Sequence, residues 1–242
     1  MPPVVNIAAY QFTPLADLPA LRADLRSRAT ALQIKGTILL APEGINLFLA
    51  GSRPSIDSFL HHLRTLPGLA NLAVKESLSD AVPFTRLMVR LKKEIITFRQ
   101  PQIDPLATPA PRISPQELKH WLDESRPVVL LDTRNTYETD LGTFDGALTL
   151  PLKDFTHFPD QLHHLPADKN TPIVTFCTGG IRCEKAAPFL QSRGYQNVYQ
   201  LEGGILNYFE KAGSAHYTGA CFVFDHRTAV TPSLKPISPP CP

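Results

Sequence analysis

Cysteine is scarce in this chain, and long apolar runs are missing. Four cysteines in 242 residues, at 177, 183, 221 and 241, are too few for a disulfide framework. None pair as C-x-x-C, so no zinc site and no other metal centre is expected. No stretch approaches the roughly 18–20 apolar residues of a membrane span, and the first residues lack the basic stretch and apolar core of a secretory signal. No flavin, haem or iron motif is visible either. These absences exclude a secreted, stapled fold and a membrane partner, and they lead to the expectation of a cytoplasmic protein.

What is present is a folded chain of one large or two small domains. It is 43% apolar and 19% charged, within the range of globular proteins. The net charge of +2 conceals an asymmetry: residues 1–100 hold 12 Lys/Arg against 7 Asp/Glu, and residues 101–242 hold 12 against 15. The first half is therefore the better candidate for touching a polyanion. Its basic run, Arg86, Arg90, Lys92, Lys93 and Arg99, is read as a candidate RNA-binding edge. The plainer reading is a solvated edge that discourages strand pairing between molecules.

Residues 1–99 read as β-α-β-β-α-β, a ferredoxin-like domain. A strand runs over 4–12, and Asp17 caps a helix carrying Leu18, Leu21, Leu25, Ala29 and Leu32. Two strands flank the turn Ala41-Pro42-Glu43-Gly44. A second helix covers about 54–66, and a last strand is expected between Thr85 and Phe98. Residues 100–113, QPQIDPLATPAPRI, contain four prolines and no apolar period, the signature of a linker.

The second domain, 114–228, opens on the capping signal Ser114-Pro115-Gln116-Glu117. Val128–Leu131 is a continuous apolar strand of the kind buried in parallel sheets. It delivers Asp132, Arg134, Tyr137 and Glu138 at its carboxyl end, where open α/β sheets place ligands. The organising stretch is 173–185. An apolar strand ends at Cys177, the loop Cys177-Thr178-Gly179-Gly180-Ile181-Arg182 follows, and a helix starts near Ile181. Amides of such a loop form an anion-binding concavity, which together with Arg182 lowers the pKa of Cys177 and favours the nucleophilic thiolate. Gly179 and Gly180 let the backbone curl round the sulfur. Asp132, Arg134 and Glu138 are supporting candidates: the first two either prop the loop as an ion pair or touch substrate. Cys183 falls on the apolar face of the helix and is read as a buried structural thiol, with Glu184 and Lys185 facing solvent or the opening. The proline-rich tail, 229–242, is expected to be disordered.

The second domain resembles a rhodanese domain. The match is carried by Asp132-x-Arg134 with Tyr137-Glu138, Gly142-x-Phe144-x-Gly146-Ala147, the six-residue loop Cys177–Arg182, and Leu201-Glu202-Gly203-Gly204. A loop of this length argues against the related phosphatases, whose loops are longer. Further strings, CTGGIRCEKA, EGIN (Glu43 to Asn46), EGGI (Glu202 to Ile205) and FVFDHR (Phe222 to Arg227), resemble the bacterial rhodanese-type tRNA uridine(34) hydroxylases across residues 4–228. Many members of that family carry a cysteine-rich C-terminal extension, where this chain has a short proline tail.

The resemblance implies oxygen-dependent hydroxylation of wobble uridine-34 to 5-hydroxyuridine, with the tRNA anticodon loop as partner, O2 as co-substrate and Cys177 as the catalytic group. Addition of a thiolate to uracil carbon 6 would make carbon 5 enolate-like and reactive toward O2. Two readings compete: a sulfurtransferase carrying a Cys177 persulfide, and an RNA-binding module with an inert rhodanese fold.

Overall fold

Strand β1 (Val4–Phe12) lies between two antiparallel neighbours, β3 (Gly44–Gly51) and β4 (Val74–Ser79), in the computed structural model, which describes residues 3–237. With β2 (Lys35–Ala41) and β5 (Leu87–Leu91) they form a sheet ordered β4-β1-β3-β2-β5. The first four positions are the ferredoxin-like arrangement. Helix α1 (Leu18–Ala31) starts at Asp17, whose carboxylate accepts the Ala20 N–H, and α2 (Arg53–Thr65) starts at Ser52. Leu25 and Ala29 of α1, with Ile56, Phe59, Leu60 and Leu63 of α2, pack on Ile7, Ile38, Leu40, Leu47, Leu49 and Val89. Each such large buried side chain contributes about 1.5–3 kcal/mol.

The closing strand of this domain differs from the expectation. The β-α-β-β-α-β motif is completed by β4, and of the stretch 85–98 only Leu87–Leu91 is a strand, added parallel to β2 as a fifth member. Val74–Ser79 is an edge strand with no fully buried residue, so its sequence, VKESLS, lacks the apolar alternation that marks a strand. The EGIN string has a structural role here. Glu43 Oε1 accepts the Ile95 N–H at 2.7 Å, and Asn46 Nδ2 donates to the Ile95 carbonyl at 3.2 Å, clamping the chain beyond β5.

The second sheet is built from β6 (Arg112–Ile113), β7 (Val129–Asp132), β9 (Leu148–Thr149), β10 (Ile173–Phe176) and β11 (Val198–Leu201). It is parallel throughout and ordered β6-β11-β10-β7-β9. Helix α3 (Pro115–Asp123) begins at Ser114, whose Oγ accepts the Glu117 N–H at 3.1 Å, as its capping signal predicts. A short turn of helix, α4 (Thr136–Thr139), and strand β8 (Gly142–Phe144) follow β7. A 3-10 helix covers Phe155–His164. Helix α5 (Cys183–Ser192) lies against β10 and β11, and α6 (Gly204–Ala212) packs with α3. The chain then forms β12 (Tyr217–Gly219), which pairs with β8, and β13 (Cys221–Phe222).

Two proline-rich stretches are more ordered than their composition predicts. Arg112–Ile113, at the end of the expected linker, is an edge strand paired with Gln200–Leu201, and Ile103 and Ala110 are buried. In the tail, Ala229–Val230 (β14) pairs with β13, and both residues are buried. A two-residue strand carries too short a pattern for composition to reveal it. Residues 238–242, including Cys241, lie outside the described residues.

The chain divides into two units. The first comprises the residues up to Thr97 together with Phe224–Thr228, and the second comprises Phe98–Val223 with the residues from Ala229 onward. In the first unit Phe224 lies against Phe48 with ring centroids 5.7 Å apart, His226 N–H donates to the Pro83 carbonyl, and Arg227 donates to Ser77 Oγ at 2.7 Å. No helix among the described residues is long and apolar enough to cross a membrane.

Candidate active site

Cys177 leaves the end of β10, a strand in which every residue is buried between β7 and β11. Its sulfur accepts the Gly180 N–H at 3.1 Å and is also hydrogen-bonded by the Arg182 amide. Gly180 has φ +99°, a left-handed conformation that aims its amide back at the sulfur at no side-chain cost. The same steric argument does not extend to Gly179. A Cβ there would meet nothing within 4 Å, and the loop is open at that residue.

The outer rim of the loop is pinned from the other side. At the first turn of α6, Ile205 N–H donates to the Cys177 carbonyl at 2.9 Å and Leu206 N–H to the Thr178 carbonyl at 3.1 Å. These otherwise unsatisfied helix donors hold the loop carbonyls outward and leave its amides turned toward the sulfur. Gly204, within the EGGI string, allows this approach: its φ is +65°, and a Cβ on it would lie 2.4 Å from the Cys177 carbonyl oxygen. Thr178 Oγ1 donates to the Phe222 carbonyl at 3.4 Å.

Charge is arranged in two buried pairs. Arg182 meets Glu138 at 2.8 Å, with side-chain exposures of 6% and 0%. Glu138 Oε2 in turn accepts the Asn135 N–H at 3.1 Å at the start of α4. Arg134 and Asp132 are paired at 2.6 Å, both fully buried. Arg134 also donates to the Gly142 carbonyl, and Thr143 Oγ1 donates to Asp132 Oδ2. Asp132 and Arg134 thus tie β7 to β8, and their side chains are closed off from solvent.

Burial pushes the Cys177 thiol upward, but this is more than offset. The Cys183 thiol donates to it, Arg182 contributes its charge, and the Arg182 and Gly180 amides complete the set, bringing its pKa from about 9 down to about 6. The residue is 2% exposed, so the sulfur is covered yet ringed by polar donors, without being sunk in hydrocarbon. Cys183 behaves oppositely: burial first, then its donation to Cys177, drive its thiol well above the usual range. Cys221 is pushed up to about 12, mainly by burial.

Several placements differ from the sequence reading. Helix α5 begins at Cys183, with Arg182 as its cap residue. Glu184 and Lys185 do not face solvent: they are 5% and 3% exposed. Glu184 bonds Arg112 at 2.8 Å and Gln200 at 3.1 Å, and so ties α5 to β6 and β11. Cys183 is buried on the apolar helix face as expected, its sulfur 3.8 Å from Thr133 Oγ1. In the basic run, Arg86, Arg90, Lys92 and Lys93 are exposed on or beside β5, whereas Arg99 falls in the second unit. Strand alternation puts Arg86, Arg90 and Lys92 on the face opposite core residue Val89. Among the described residues, no group of three or more His, Cys, Asp or Glu side chains is placed to hold a metal ion.

Two family models match the chain: the UPF0176 acylphosphatase like domain over residues 4–95, and the rhodanese-like domain over residues 114–211. The tRNA uridine(34) hydroxylase of Cupriavidus pinatubonensis is 54% identical over 98% of this chain and 86% of its own length. The protein of the same name from Bordetella petrii is 53% identical over 98% of this chain and 96% of its own length. Among solved structures, a rhodanese-like domain protein from Staphylococcus aureus covers 40% of this chain and 90% of its own, with 32% identity and a TM-score of 0.36.

Proposed function

The chain belongs to the tRNA uridine(34) hydroxylase family, and from that premise we propose that Cys177 is the group through which it hydroxylates carbon 5 of the wobble uridine with O2. The observation that carries the reading is the sulfur itself, held as a thiolate by the Gly180 and Arg182 amides and by the Arg182 charge. Carbon 6 of uracil is the conjugate acceptor of the ring. Thiolate addition there moves electron density to carbon 5, which then reacts with O2. A positioned nucleophile of this kind splits one difficult step into two easier ones.

The substrate region is the anticodon loop, whose unpaired base reaches a protein site without the cost of opening a duplex. Arg86, Arg90 and Lys92, together on the outer face of β5, are the phosphate contacts we assign, with Lys93 beside them and Arg99 on the second unit. The free thiols at 177, 183 and 221 support the reading of a cytoplasmic enzyme.

The test is nucleoside mass analysis of tRNA after incubation with the protein in air and under argon. 5-Hydroxyuridine at position 34 that requires both O2 and Cys177 supports the reading. Product formed at the full rate by Cys177→Ser overturns it. The second reading, sulfur transfer through a Cys177 persulfide, rests on the six-residue loop and predicts thiolated uridine in the same assay.

A further inference from the structure

The Cys177 loop is open at Gly179, where a Cβ would meet nothing within 4 Å. Addition of a thiolate to carbon 6 runs perpendicular to the plane of the pyrimidine, so a base brought to this loop has to be held by its flat face. One aromatic side chain is tied to each end of the loop. On α4, Glu138 turns inward, 0% exposed, and reaches Arg182, the last loop residue, at 2.8 Å; its neighbour Tyr137 turns outward and is 49% exposed. On β13, Cys221 is buried and Phe222 is partly exposed, as strand alternation requires. The Phe222 carbonyl accepts Thr178 Oγ1, from the second loop residue, at 3.4 Å. The two rings meet edge to face, with centroids 5.2 Å apart and planes at 79°. Asn135 Nδ2 donates to the Tyr137 hydroxyl at 3.2 Å. Exposed side chains ordinarily keep their rotamer freedom. Tyr137 is instead held at its ring by Phe222 and at its hydroxyl by Asn135, while about half of its surface faces solvent beside the loop.

We propose that Tyr137, braced by Phe222, is the platform on which the wobble uracil stacks when its carbon 6 meets Cys177. The inference rests on the hydroxylase reading above and names the residue that holds the base in it. Unpaired bases are taken up on aromatic side chains because every base has a π-face, and one such contact is worth roughly 5- to 150-fold in affinity. The platform gives the FVFDHR string a task at the site through its first residue, Phe222. Stacking does not read the edge of a base, so Tyr137 holds the ring in place and does not distinguish uracil from cytosine.

The experiment uses the full chain and tRNA carrying unmodified uridine-34, in the nucleoside assay above. Tyr137→Leu keeps apolar bulk without a π-face and is expected to lower kcat/KM by about tenfold or more, whereas Tyr137→Phe stays within about threefold of the wild type. Iodoacetamide is expected to alkylate Cys177 at the wild-type rate in both. Tyr137→Trp adds a readout that does not depend on turnover. An anticodon stem-loop is expected to quench the fluorescence of the introduced indole, and the same stem-loop made abasic at position 34 to bind without quenching it. That comparison decides the matter if Tyr137→Leu does not fold. Tyr137→Leu matching the wild type, or equal quenching by both stem-loops, overturns the inference and leaves the hydroxylase reading standing. Tyr137→Phe as impaired as Tyr137→Leu also overturns it, because the hydroxyl and not the ring is then what matters. A wild-type protein that forms no 5-hydroxyuridine overturns the hydroxylase reading and this inference with it.

Discussion

The two units bury different kinds of atoms. Among the described residues up to Thr97, the only buried polar ones are two amides, Asn6 and Asn46, and the ion pairs lie outside, as with Arg53 and Glu76 at 47% and 40% exposure. The second unit buries Asp132, Arg134, Glu138, Arg182, Glu184 and Lys185. An exposed pair is worth about 0–1 kcal/mol, whereas breaking a buried one by removing a partner costs about 3–5 kcal/mol. The first unit up to Thr97 is thus held by hydrocarbon, and its late segment adds one covered ion pair, Asp225 with Arg227. The second places charge behind a loop, at a cost in desolvation, and the return is a sulfur that ionises near neutrality.

The sharpest way to break this contrast is at the sulfur. Cys177→Ser is expected to lower 5-hydroxyuridine formation at least about 10³-fold, measured by nucleoside mass analysis. Next comes the charge behind it. Glu138→Ala removes the carboxylate paired with buried Arg182 and is expected to cost about 3–5 kcal/mol, while Arg53→Ala in the first unit costs no more than about 1 kcal/mol; urea unfolding of both variants gives the comparison directly. Equal losses would mean that the two units do not differ as described.

Gly204→Ala carries a smaller penalty, about 1–3 kcal/mol for the left-handed backbone alone, and it should also slow iodoacetamide alkylation of Cys177 by displacing the loop. The pH dependence follows from the sulfur. Its folded pKa of about 6 lies below the unfolded value of about 9. Between these values the unfolded chain binds the extra proton, so this stabilising contribution rises with pH, is complete above about 9 and is lost as pH falls through about 6. Alkylation of Cys177 should rise with the same midpoint, near pH 6; a midpoint at 8 or above would remove the role assigned to the ring of amides. The smallest effect belongs to the first unit. Replacing Arg90 and Lys92 by alanine should weaken tRNA binding and reduce the salt slope by about one for each phosphate left without its cation, as read by filter binding at several ionic strengths.

Much of this can be read from the sequence because it is local. Cys177-x-Gly-Gly-x-Arg182 is contiguous, and a strand followed by glycines and a helix determines where its amides point. Val128–Leu131 and the periodic helices carry their own burial pattern. The remainder depends on residues far apart in the chain. Arg182 finds Glu138 across 44 positions, and helical period alone puts Glu184 outside because it does not register that Arg112 of β6 and Gln200 of β11 meet it. Edge strand β4 is hidden because an edge half in solvent needs no apolar alternation. β14 is hidden because two residues carry no pattern.

One late segment sets the order in which the protein can be completed. Phe224–Thr228 belongs to the first unit, where Arg227 fastens to Ser77 on edge strand β4. A ribosome that has emitted Thr97 must add a further 130 or so residues before Arg227 can reach Ser77, a delay on the order of ten seconds at ordinary elongation rates. Throughout that interval the amino-terminal half lacks the contacts that Phe224, His226 and Arg227 supply. Holding chaperones would therefore matter more for the yield of this protein than for one whose leading domain finishes itself.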